Sequence, residues 1–181
     1  MGRAQERGDA GHRGTFDAGS PLWKVKNGTN DGVVCSVPAT CDFVFNGGPS
    51  EASKLKQTFQ LPTGFKANAG DTVRVLFGLE TASPSVVNIV AKLKIVYSDG
   101  KPATVVSLKP KYFGTGGFPS IYVLQATTAS RKIAGISVEF IHKSPSGSVK
   151  VVEVADSYES VRVAGRSTAT QNLLPVPAPA N

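Results

Sequence analysis

The stretch Val86–Gly100, VVNIVAKLKIVYSDG, limits the folds open to this chain more than any other. Ile89, Ala91, Leu93, Ile95 and Tyr97 fall at every second position, with Lys92, Lys94 and Ser98 on the alternate positions. A period of two belongs to an extended strand with one face on a core and one in water. It cannot be laid on a helix, whose faces recur about every 3.6 residues. Ser98-Asp99-Gly100 supplies the turn that follows, because Asp bonds its own backbone and Gly takes positive φ without steric cost.

The same pattern recurs along the chain. Val33 to Cys35 and Asp42 to Phe45 read as short strands, then KLKQTFQL with Leu55, Gln57, Phe59 and Leu61 on one face. A buried Gln57 needs a partner, so it is expected near a sheet edge or a loop carbonyl. Asp71 to Glu80 places Val73, Val75, Phe77 and Leu79 inward and Arg74 outward. Thr104 to Leu108, IYVLQ, Ile133 to His142 and SVKVVEV, with SYESVRV either extending the last or pairing with it, complete about nine or ten short strands with no convincing helix. Antiparallel strands that each keep one wet face, spaced regularly between turns, predict an all-β, antiparallel two-sheet β-sandwich.

Domain limits follow from where alternation stops. Residues 1–14 are polar and aperiodic and read as a disordered N-terminal segment. Residues 15–163 carry the sandwich. Residues 164–181, AGRSTATQNLLPVPAPAN, read as a Ser/Thr/Pro-rich linker or tail. With 40% hydrophobic residues in 181, the chain suffices for one real core. No window approaches the roughly 18 to 20 apolar residues of a spanning helix, so membrane insertion is not expected. MGRAQERGDAGHRG is not a secretory signal, so either the protein stays inside the cell or the chain is excised from a larger or differently processed one; excision, with other domains as neighbours, is the expectation.

Charge and cysteine content narrow the partners. Residues 1–20 are neutral overall, so the net charge of +7 is spread along the strands instead of gathered into an arm. That argues against nucleic acid and leaves two readings: a lysine-rich surface that keeps strands from pairing edge to edge, or attraction to an acidic polymer. Cys35 and Cys41 are the only cysteines. In an exported protein they form a disulfide, whose short loop contributes about 2 to 3 kcal/mol; in a reducing compartment they remain thiols in the core.

The order of motifs resembles the carbohydrate-binding-module-like, or galactose-binding-like, jelly rolls of modular exported proteins. The carriers are Thr15-Phe16-Asp17, then Leu22-Trp23-Lys24-Val25, the aromatic strand Phe43-Val44-Phe45-Asn46-Gly47, and Leu55-Lys56-Gln57-Thr58-Phe59. Gly70-Asp71-Thr72-Val73, Tyr97 to Gly100 and Ser146-Gly147-Ser148-Val149-Lys150-Val151 follow in the family's order, so the resemblance covers about residues 15–157. It implies a jelly roll and an extracellular or cell-surface location. It also implies a structural calcium, held by the acid of the Phe-acid pair and by a closing Asp-Asp-Val turn. Here that turn reads Val152-Glu153-Val154, which leaves Asp17 and Glu153 as a depleted ligand pair for an ion that prefers six to eight oxygens.

Glycans are held by flat aromatic faces and planar polar groups. Alternation sends Phe45, Phe59, Phe77, Tyr97 and Phe140 into the core. The exception is KYFGTGGFPSIY, whose Tyr112, Phe113, Phe118 and Tyr122 lie in or beside a glycine-rich loop, either as a binding platform or as a plug for one end of the sandwich. Lys54, Lys56, Arg74, Lys92 and Lys94 face water, and if their strands are neighbours they form a basic patch suited to uronic-acid, sulfated or teichoic-type polymers. No histidine lies in a triad sequence, no phosphate loop opens a helix and no acid pair suggests glycoside hydrolysis, so no catalysis is expected. The expectation is therefore a non-catalytic carbohydrate-binding-like module whose partner is a poly- or oligosaccharide, acidic ones included. The alternative is a structural or assembly sandwich of an adhesin, surface layer or stalk, or, with no arginine-dense arm to support it, a viral coat jelly roll.

Overall fold

The computed structural model describes residues 16, 23–28, 30–37, 40–49, 52–61, 65–159, 170–171 and 174–175. Ten strands of four or more residues run β1 (Trp23–Lys26), β2 (Gly32–Val37), β3 (Thr40–Asn46), β4 (Ser53–Gln60), β5 (Thr72–Glu80), β6 (Ile89–Tyr97), β7 (Thr104–Leu108), β8 (Ser120–Thr127), β9 (Ile133–His142) and β10 (Ser148–Glu159). A single 3-10 turn, Pro84–Val86, precedes β6. All strand pairs are antiparallel and fall into two sheets, ordered β1-β4-β9-β6-β7 and β2-β3-β10-β5-β8. This is an all-β sandwich, as the alternation predicts, and of the jelly-roll kind that the resemblance implies.

The core is built from in-register rows. On β6, Ile89, Ala91, Leu93, Ile95 and Tyr97 are buried, and they pair with His142, Phe140, Val138, Ile136 and Ile133 of β9. Beyond β9, Leu55, Gln57 and Phe59 of β4 continue the rows. Val73, Val75, Phe77 and Leu79 of β5 and Val149 and Val151 of β10 face them from the other sheet. Burial of each large aliphatic or aromatic side chain contributes about 1.5–3 kcal/mol, so these rows are what holds the sheets face to face. Phe16 is buried with its ring 4.9 Å from Trp23 and 6.1 Å from Phe43, so it packs with the tryptophan against the core.

Three local features add to the reading of the sequence. SYESVRV extends SVKVVEV as far as Glu159, making β10 one twelve-residue strand with a register shift between Val152 and Val154. The extra residue resets the inward parity, so Val149, Val151 and Val154 are all buried. Gln57 is buried one strand in from the edge, between Trp23 and Val138, and its Nε2 has no hydrogen-bond partner among the described residues. Within the segment read as a tail, β11 (Thr170–Gln171) pairs with the end of β10 and β12 (Leu174–Pro175) with the end of β4. Residues 1–14 lie outside the described residues.

Cys35 and Cys41 sit directly opposite each other on β2 and β3 and form a disulfide. Another cross-link is electrostatic. Asp99, in the turn after β6, accepts hydrogen bonds from the Lys101 amide and from the Arg131 guanidinium, which also lies 3.9 Å over the Tyr97 ring. Arg131 holds the Asp99 carboxyl down from 3.8 to about 2. Because the folded value is the depressed one, this clasp is complete above the unfolded value and lost as pH falls from about 3.8 towards 2. Asp99→Asn is expected to show a smaller loss of stability than the parent across that window. Equal losses in acid titrations of the two unfolding midpoints would show that the clasp adds nothing.

Candidate functional site

The loop joining β7 to β8, residues 109–119, is glycine-rich yet tightly bound. Gly114 donates its amide to the Leu79 carbonyl at 3.0 Å and accepts from the Thr81 amide at 2.9 Å, which fastens the loop to the end of β5. Thr115 and Phe118 pair across Gly116 and Gly117, whose φ values of 64° and 87° suit a two-residue hairpin turn that side chains would strain. The Glu80 carboxylate accepts a hydrogen bond from the Gly117 amide at 2.8 Å. At the other end the Tyr122 hydroxyl accepts from the Tyr112 amide at 3.0 Å and donates to the Tyr112 carbonyl.

The four aromatics of this region therefore divide. Tyr122 is half-buried, stacked on Phe77 with centroids 5.8 Å apart, and acts on the loop only through its hydroxyl. Phe113 is half-buried and packs against the core. Tyr112 and Phe118 are left 77% and 81% exposed. Exposed rings on a loop fixed at both ends form a surface on which the C–H faces of a sugar can stack without first ordering the protein.

Lys92 and Arg74 are not brought together. Lys92 faces out from the β1-β4-β9-β6-β7 sheet and Arg74 from the other, where its Nε donates to Gln125 Oε1 at 2.9 Å. Strand alternation gave the face of Arg74 but not its sheet, so it leaves the basic patch. Lys54, Lys56, Lys92 and Lys94 do share an outward face. Lys24 and Lys26, which the sequence reading did not select, join them, because β1 pairs Lys24 with Lys56 and Lys26 with Lys54. Their alternation in WKVK was the available signal, but four residues are too few to establish a period. Lys24, Val25, Lys26, Lys54, Lys56 and Glu139 line an open groove of about 440 Å³ on this face, and Lys54 Nζ lies 3.5 Å from Glu139 Oε1.

Asp17 lies outside the described residues, as does the side chain of Glu153 in β10. Among the described residues no group of three or more His, Cys, Asp or Glu side chains could hold a metal ion. No helix among them is long and apolar enough to cross a membrane.

No family model matches the sequence, and no curated protein matches it. Solved structures do match the fold. The xylan-binding CBM22-1 domain of Paenibacillus barcinonensis Xyn10C is 10% identical with a TM-score of 0.50, over 86% of this chain and 100% of that one. The CBM22-1-CBM22-2 tandem of the same protein gives 9% and 0.51, over 92% and 50%. The CBM22-1-GH10 modules of Clostridium thermocellum xylanase 10B, solved with xylohexaose, give 10% and 0.52, over 86% of this chain but only 29% of the larger one. At such identities the likeness is one of architecture: this chain has the jelly-roll fold of carbohydrate-binding modules.

Proposed function

We propose that this sandwich is a non-catalytic carbohydrate-binding module of an exported or cell-surface protein, working beside other domains and holding a poly- or oligosaccharide. The observation that carries the reading is the pair of exposed rings, Tyr112 and Phe118, on a loop braced by Gly114, Glu80 and Tyr122. Stacking on those rings supplies the apolar share of affinity, and side chains around the loop fix orientation by hydrogen bonds to hydroxyls. The bracing matters because a loop that is already ordered loses little entropy when it binds.

The test is a glycan array followed by titration of the best ligand. Tyr112→Ala with Phe118→Ala is expected to lower affinity at least about tenfold, two exposed stacking contacts being removed. The melting temperature should scarcely move, since neither ring is in the core. Retention equal to that of the parent would end the proposal.

A second reading, an assembly or spacer sandwich, is favoured by one feature. On the outward face of the other sheet, Leu76 pairs with Val123 and Gly78 with Ile121, and Leu76, Val123 and Ile121 are all exposed. Contiguous apolar side chains on a sheet face suit burial against another protein surface. Light scattering that shows concentration-dependent oligomers, with a blank glycan array, would select this reading over the first.

A further inference from the structure

We propose that the open edge of β8 pairs with β8 of a second copy of this chain, so that the β2-β3-β10-β5-β8 sheets of two molecules run on into one another about a two-fold axis. The proposal rests on the assembly reading and names its partner and its seam. Among the described residues the two sheets end on four strands, β1, β7, β2 and β8. An unpaired edge invites another strand unless it is short, bulged or charged. β1 is four residues long and carries Lys24 and Lys26, and β7 has five residues. β2 has a register shift between Cys35 and Val37. β8 has none of these protections. Its eight residues, SIYVLQAT, hold no charge and no proline, and they pair with β5 without a shift.

Register fixes which groups the edge presents. Thr128, next after β8, donates its amide to the Asp71 carbonyl at 2.8 Å and accepts from the Gly70 amide at 3.2 Å. Hydrogen bonding alternates along an antiparallel pair, so the even-numbered residues of β8 turn to β5. The N–H and C=O groups of Ile121, Val123, Gln125 and Thr127 turn to the open side, where no described residue bonds them. A second copy turned about an axis at Leu124 sets Val123 opposite Gln125 and Ile121 opposite Thr127. All four residues then exchange bonds with their opposites, about eight bonds across the seam.

The side chains suit a second copy. Ile121 and Val123 are 55% and 50% exposed on the outer face, with Leu76 beside Val123. Across the seam they meet the uncharged Thr127 and Gln125 and join the same apolar groups of the other copy in one stripe. A charged foreign strand would find no opposite charge in β8, whereas β8 brings none of its own. Arg74, the charge next to Gln125, is already hydrogen-bonded to it. Pairing closes at two, because the two-fold seam uses the unprotected edge of each copy. Each chain carries +7 and the seam holds no ion pair, so added salt screens the repulsion and tightens the pair.

The experiment is sedimentation equilibrium of the full chain over a wide concentration range, at low and physiological salt, with a melting curve for every variant. The parent is expected to show a monomer–dimer equilibrium that tightens with salt. Val123→Pro removes an amide that faces the open side, where an edge strand tolerates proline. It should weaken the dimer at least about thirtyfold, one hydrogen bond being lost from each copy. Val123→Lys leaves the backbone alone and decides the matter if the proline variant melts early. It too should disperse the dimer, by bringing like charges to the seam. Leu76→Gln, one strand behind the edge, should change the dimer constant by no more than about threefold. Tyr112→Ala with Phe118→Ala should leave the dimer unchanged, so that failure here and failure of the loop reading remain distinct. Dimers dispersed by Leu76→Gln and not by Val123→Pro would overturn the seam and leave the assembly reading standing. A monomer at every concentration would overturn both. Association that weakens with salt, or that grows beyond two copies, would overturn the seam.

Discussion

Replacing Phe140 by Ala is expected to cost about 3–5 kcal/mol of stability and to lower the melting temperature by about 10 °C. The reason lies in its place in the rows. Phe140 is fully buried on β9, between Leu55 of β4 and Ala91 of β6. Ala91 is small, so the space over it is filled by the Phe140 ring instead of by its own side chain. That ring meets Phe77 of the facing sheet edge-on at 5.0 Å and 76°, and lies 6.4 Å from Trp23. Truncation therefore removes an aromatic contact across the sandwich and opens a cavity against the floor of the core, where paired strands on both sides resist collapse. Denaturant unfolding reads the effect directly. A loss below about 1 kcal/mol would mean that the sheets do not pack through this ring.

Gly114→Ala is the second large effect, and it separates binding from folding. A β-carbon at that position would lie 1.8 Å from the Phe118 carbonyl oxygen and 2.5 Å from Pro119 Cα, both backbone atoms that cannot rotate away. The loop must lift off β5 and forfeit the hydrogen bonds to Leu79 and Thr81. At about 1 kcal/mol net for each bond, stability falls by about 2 kcal/mol, well short of the core variant. Glycan affinity should fall as far as when both Tyr112 and Phe118 are removed, although both rings are still present. Full affinity in the Gly114→Ala protein would show that the loop's shape is irrelevant to binding.

The sandwich was legible because half-buried antiparallel strands write their burial into every second residue. β6, β7 and β9 fall where Ile89 to Tyr97, Thr104 to Leu108 and Ile133 to His142 predicted them. Parity, however, names a face and not a neighbour. Arg74 and Lys92 are both outward, yet they belong to different sheets, and only pairing could reveal it. Parity also fails where a residue is inserted, as in β10 between Val152 and Val154, where the buried valines change from odd to even positions. For the loop, the sequence marked the aromatics by their glycine-rich setting. It did not distinguish Tyr112 and Phe118 from Phe113 and Tyr122, although Tyr122, Leu124 and Ala126 share the inward parity of β8. The hydroxyl bracing of Tyr112 has no signature in local pattern, because its partner stands ten residues away.

The two shortest strands bear on how such a sandwich would carry a load. Only two residues separate β11 from β12, yet one is paired to β10 and the other to β4, in different sheets. Among the described residues beyond Glu159, tension drawn along the chain would meet these two pairings in turn, β12 on one sheet and β11 on the other. A pull from that end would therefore be felt by both layers of the sandwich and not by one alone.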